Sequence, residues 1–210
     1  MNIQLQILPL LSVLVLFLVA PVVIILAVSF WDYTEFSLIP DFVLTNYIEI
    51  FESGVTYSTY LNTFKFAFLG WLFTVIIGFT LAYFLAFHVR TLRWQIILFL
   101  ICTIPFWTSN IIRMIAWIPV LGRNGLMNSL LLELGVISEP LEWLLYSDFA
   151  VILAFVHLYT LFMLVPIFNS MMRIDKSIIE AAQDMGANSL QILINVIIPL
   201  CLPGIAIGTI

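Results

Sequence analysis

Glu180-Ala181-Ala182, Asp184, Gly186-Ala187, Gln191 and Pro199 occur in that order within residues 173–199, between two long apolar stretches. The set contains an acid, small side chains, a turn-forming glycine and a proline, but no nucleophile beside a base. The set therefore offers surface for contact and no bond-making chemistry. Ser177 followed three residues later by Glu180 predicts a capping box at the start of a short helix. Ile174, Ile178, Ala182 and Met185 would form its apolar stripe, and Gly186 its stop. Asn188 or Ser189 then caps a second short helix, with Leu190, Leu193, Ile194 and Ile197 at helical spacing on one face.

Other reactive side chains are scattered. Cys102 and Cys201 each sit in an apolar stretch and read as small buried hydrophobes, since neither belongs to a closely spaced pair. His88 and His157 lack the neighbouring carboxylates or thiols of a metal site, so none is assigned. Phosphate-loop, dinucleotide and Ser-His-Asp signatures are missing, and no basic block suggests nucleic acid. The residues thus point away from an enzyme.

The elements that position this loop must be membrane spans. At 63% hydrophobic and 9% charged, with a mean hydropathy of +1.18, the chain cannot cover itself with polar surface, and its solvent is lipid. Residues 7–30 carry no charge and are long enough for a first span; the basic leader of a cleaved signal peptide is missing. Residues 31–59 hold Asp32, Glu35, Asp41, Glu49 and Glu52 without Lys or Arg, which places this loop outside and the N-terminus in the cytoplasm. Further spans are expected at about 60–87, 94–117 and 149–168. His88, Arg90, Arg93, Arg173 and Lys176 then fall at inner ends, and Glu133, Glu139, Glu142 and Asp148 on a second outer loop. Lys65 can snorkel to the outer interface. Pro105, Arg113, Pro119, Gly122 and Gly125 predict a broken, partly re-entrant segment near 109–135. A fifth apolar segment, 196–210, is too short to cross, so the chain reads as C-terminally truncated and is expected to be unstable in that form.

The ordered loop residues, with Pro203-Gly204, resemble the cytoplasmic loop signature of membrane subunits of binding-protein-dependent ABC importers. Pro105-Phe106-Trp107, Arg113, Ala116-Trp117, Leu121-Gly122, Gly125-Leu126, Asn128, Asn62-Thr63, Gly78 and Ala82-Tyr83 look like the first of the two permease subunits of the polyamine type. The resemblance covers nearly the whole chain. It implies an all-α integral membrane protein, a multi-span helical bundle of the type I importer class, with a coupling-helix loop at 173–199 and a sixth span beyond the sequence. It also implies a transport subunit in the bacterial inner membrane that works beside a homologous second permease and two ATP-binding cassette ATPases. An extracytoplasmic binding protein would deliver the solute, and ATP and Mg would be used by the ATPases, with no cofactor on this chain. In that setting Glu180 either pairs with a basic residue of the ATPase or only closes its own cap. The solute implied is a polyamine such as spermidine or putrescine; iron, sulfate or molybdate, or a secondary-transport mechanism, are the alternatives. A polycation would seek aromatic faces and carboxylates, which brings in Trp107 and Trp117; Asn110 and Arg113 between them complete the candidate path residues, Arg113 being an odd choice in a passage for cations. The two tryptophans also fit an interfacial belt, and Arg113 fits a cap on helix carbonyls or a pair with an acid of the partner subunit.

Overall fold

The computed structural model describes residues 3–34 and 36–210, with backbone alone for 3–6; Glu35, assigned above to the first outer loop, lies outside the described residues. The chain divides into two compact units, Met1–Asn62 and Thr63–Ile210.

In the first unit, α1 (Ile7–Val28) is long and apolar enough to cross a membrane. Pro21 has no amide hydrogen, and its ring crowds the carbonyl four residues back. The helix takes up the mismatch in a π turn over Val15–Val19. The segment read as a polar loop is in fact structured. It contains an antiparallel hairpin, β1 (Asp32–Tyr33) on β2 (Leu38–Ile39), and a helix, α2 (Thr45–Glu52). These elements are too short for periodicity to reveal. Long-range contacts hold them: Val43 N–H donates to Phe30 O at 2.7 Å, and Phe42 stacks on Phe30 at 4.9 Å.

α3 (Gly54–His88) begins at Gly54 rather than near residue 60. Within the second unit it buries Gly70, Thr74, Gly78 and Ala82, one small residue per turn, against α8 (Asp148–Met171). Lipid offers no hydrophobic drive between spans, so close backbone approach across small residues supplies the packing instead. α10 (Ser189–Thr209) approaches α8 from another side in the same way: a methyl group at Gly204 would lie 2.6 Å from Pro166 O, and one at Gly208 would lie 3.1 Å from Met163 Cα. The core sits along α8, where Leu164, Ile167 and Met171 are almost wholly buried.

Between α3 and α8 the chain bends. α4 (Leu92–Thr103) runs into a 3₁₀ turn over Ile104–Trp107, and the segment Asn110–Glu133, which opens with α5 (Asn110–Ile115), leaves at 95° to it. The expected span over 94–117 is therefore broken at Thr108–Ser109, both in extended backbone. Short helices α6 (Ile118–Leu121) and α7 (Leu126–Glu133) follow. The fully buried Asn128 fastens them: its Nδ2 donates to Gly122 O and Leu141 O, each at 3.1 Å, and its Oδ1 accepts from Leu141 N–H at 2.8 Å. Lys65, in the first half of α3, pairs with Asp148 at the start of α8, and Arg123 pairs with Glu142 at 3.3 Å.

Among the described residues four helices can cross a membrane, or five if the bent pair is one span. α10 departs from the sequence reading. The anticipated short helix after Asn188 is the first part of a 21-residue apolar helix that continues through 196 to Thr209. A π turn over Leu193–Ile197, just ahead of Pro199, keeps it continuous, the same device that α1 uses at Pro21.

Candidate functional site

The loop between α8 and α10 contains α9 (Lys176–Asp184) and two turns. Its cap is not Ser177. Asp175 stands at the N-cap and its Oδ1 accepts the Ser177 N–H at 3.0 Å, so the Ser177–Glu180 capping box does not form. The Ser177 amide, and then its hydroxyl, hold the Asp175 carboxyl below the usual carboxylate range. Glu180 is exposed and makes no hydrogen bond or ion pair among the described residues.

Gly186 ends the helix in the left-handed region, at φ 83°. Its N–H donates to Gln183 O at 2.8 Å while Ala187 N–H reaches back to Ala182 O at 3.0 Å, the two bonds of a Schellman turn. Asn188 then caps α10. Its Oδ1 accepts Gln191 N–H at 2.8 Å, and Gln191 Oε1 accepts Asn188 N–H at 2.9 Å. Gln191 is thus an internal bracket, which its place in the motif did not reveal. Pro199 is exposed in the continuous helix beyond the π turn.

The stripe on α9 also differs from expectation. Ala182 is 6% exposed and packs in the core with Ile179, Ala187 and Ile192, beside Ile167 and Cys201. Ile178, Ala181 and Met185 instead lie on a free face, where Met185 is 83% exposed. Helical spacing could equally have placed either set inside; the contacts of α8 and α10 decide between them. Glu180 and Asp184, both exposed, lie one turn apart along one side of this apolar strip.

The four candidate path residues are not brought together. Trp107 is 86% exposed at the break, and Asn110 is exposed in the first turn of α5. Arg113 is 6% exposed and turns back on the break, donating from Nη2 to Pro105 O and, at 3.1 Å, to Thr108 O. It caps carbonyls that the bend frees. Trp117 donates from Nε1 to His157 Nδ1 at 3.1 Å, with the rings edge-on at 5.5 Å. His157, read from sequence as a residue without a local partner, therefore ties the bent segment to α8; a separation of 40 residues hides such a pair from any local pattern.

Comparison with known proteins meets this geometry from outside. No family model matches the chain. It is 35% identical over 196 residues to the spermidine/putrescine transport system permease protein PotB of Escherichia coli K12, covering 93% of this chain and 70% of that one. PotB of Haemophilus influenzae is 31% identical over 199 residues, covering 94% and 68%. The inner membrane ABC transporter permease protein YdcU of E. coli is 27% identical. The fold matches a crystal structure of a bacterial ABC transporter that imports the acidic polysaccharide alginate, with a TM-score of 0.78 at 21% identity, covering 97% of this chain and 69% of that one. By its identity to PotB over most of both chains, the protein belongs to the family of ABC importer permease subunits that includes PotB.

Proposed function

We propose that this chain is one of two permease subunits of an ATP-driven importer of polyamines such as spermidine or putrescine, and that α9 is the helix through which its ATPase drives it. One observation carries the coupling role. The inner face of the loop belongs to the same packed core as α8 and α10, while its outer face offers an unpartnered apolar strip with two acids along one edge. A helix so held moves with the spans as one body. Ile178, Ala181 and Met185 suit a shallow cleft on a soluble partner, and Glu180 suits a cation at its edge. Asp184, in the last turn, opposes the helix dipole and gains from such a cation too.

In this reading the N-terminus and the 173–199 loop face the cytoplasm, because Arg90, Arg93, Arg173 and Lys176 lie at one set of span ends and the acidic loops at the other. A binding protein hands the solute to the outer side. ATP with Mg closes the two ATPases, α9 is carried inward, and the pathway between this subunit and its homologous partner turns outward; hydrolysis resets it. The polyamine cargo is supported by the names of the relatives from Escherichia coli and Haemophilus influenzae.

The test is co-purification of the importer carrying Glu180→Ala or Gly186→Pro. Both should lose bound ATPase or solute-stimulated hydrolysis. If both variants keep the ATPase and the stimulated rate, α9 is not the coupling helix. Uptake of labelled spermidine and putrescine against sulfate and iron then tests the cargo.

A further inference from the structure

The break that presents Trp107 is joined to α8 by a short chain of contacts. Arg113 holds the carbonyls on either side of Trp107, those of Pro105 and Thr108. Further along the same segment Trp117 reaches α8, with its Nε1 3.1 Å from His157 Nδ1. An indole N–H only donates, so His157 must accept at Nδ1 and keep its own proton on Nε2. Phe106 adds a ring contact, edge-on to Phe162 at 5.4 Å. Among the described residues, the Trp117–His157 bond is the one hydrogen bond between residues 104–133 and α8.

A continuous backbone ladder does not carry this segment. Thr108 and Ser109 are extended, so the helical bonds of α4 stop there, and side chains set where the chain beyond the bend stands. α8 is well placed to steer it. The inner half of α8 packs with Ile179 and Ala182 of α9 through Ile167, and His157 lies about 15 Å further along the same helix. Pro166 costs α8 one backbone bond on the way, and α10 splints it there: carbons added at Gly204 and Gly208 would lie 2.6 Å from Pro166 O and 3.2 Å from Pro166 Cγ. With no hydrophobic drive between spans in lipid, a single hydrogen bond weighs heavily in deciding which element a hinged segment follows.

We propose that His157 is a positioning residue for import: through Trp117 it makes the bent segment follow α8, so that a movement delivered at α9 reaches the break at Trp107. The inference rests on the coupling role proposed for α9.

The test is labelling of a single cysteine, Trp107→Cys, with a membrane-impermeant maleimide in the assembled importer in proteoliposomes, with Cys102 and Cys201 replaced by serine. The labelling rate should differ between the resting importer and one trapped with ATP, Mg and vanadate. His157→Leu removes the acceptor and Trp117→Phe the donor; each should shrink that difference about fivefold, the scale of one lost hydrogen bond between spans. The double variant should lose no more than either single one. His157→Asn, whose side-chain carbonyl stands near the place of Nδ1, should restore the difference. Equal loss in His157→Asn and His157→Leu, additive losses in the double variant, a full difference in Trp117→Phe, or none in the wild type would each overturn the proposal. Should His157→Leu fail to assemble with its ATPase, Trp117→Phe and His157→Asn decide the matter between them. Failure of the coupling reading looks different: Glu180→Ala and Gly186→Pro would then keep the nucleotide-dependent difference while the His157 and Trp117 variants still lose it.

Discussion

Arg113 is a guanidinium with little access to solvent and, among the described residues, no ion-pair partner. Carbonyls released by the bend take the place of a counter-ion: one amino group, Nη2, reaches two of them, while the buried Nε has no hydrogen-bond partner among the described residues. Arg113→Met removes the donors and leaves those carbonyls uncapped, and should destabilise the protein by about 1–3 kcal/mol. A melting temperature equal to wild type in detergent would show that the bend holds without it. Gly186 presents the opposite case. Nothing lies within 4 Å of where its side chain would begin, so the cost of Gly186→Ala is backbone alone, about 1–2 kcal/mol, with Gly186→Asn milder. The same melting measurement ranks the three. Asp175 adds a pH dependence. Its carboxyl is held below the ordinary value by the Ser177 amide, so the cap is fully present above about pH 4 and is lost as pH falls through the depressed value. Hydrogen exchange at residues 177–180 should be faster in Asp175→Ala than in wild type at pH 7; identical protection would remove Asp175 from the cap.

At the scale of elements, α8 is gripped between two helices by small residues, but the two grips differ in tolerance. Opposite Gly78 stands the flexible side chain of Met163, 3.0 Å from an added carbon. Opposite Gly204 stand backbone, with Pro166 O at 2.6 Å from an added carbon, and the Ser170 hydroxyl. Gly204→Ala should therefore cost about 1–3 kcal/mol as α10 is pushed away, and Gly78→Ala clearly less. The order of melting temperatures of the two variants in detergent checks this, and the reverse order would count against the packing described. Because Ala182 and Ile192 share that core, a displaced α10 should also weaken coupling to ATP hydrolysis, a loss that Gly78→Ala would not share.

For the whole molecule, the assignment of function requires that α9 and the acidic segments lie on opposite sides of the membrane. Single cysteines report this directly, in a background with Cys102 and Cys201 replaced by serine. Ser177→Cys should react with a membrane-impermeant maleimide only in inverted vesicles, and Ser138→Cys only in intact spheroplasts. Labelling of both from one side would refute the orientation and the coupling role with it.

Charge-free runs in the sequence announced α1, α3 and α8, because lipid demands them whatever else the chain does. The ordered residues from Glu180 to Pro199 likewise announced a loop with a turn at Gly186, since a left-handed cap and a helix start are local requirements. Even the true cap was locally readable: Asp175 stands two residues before Ser177, and the capping-box pattern at Ser177–Glu180 masked it. Only tertiary structure decided which stripe of α9 turns inward, that Trp117 meets His157, and that Arg113 folds back on Pro105. Each of these depends on which surfaces meet in space, and a helical or alternating pattern names the candidate faces without naming the neighbour that covers them.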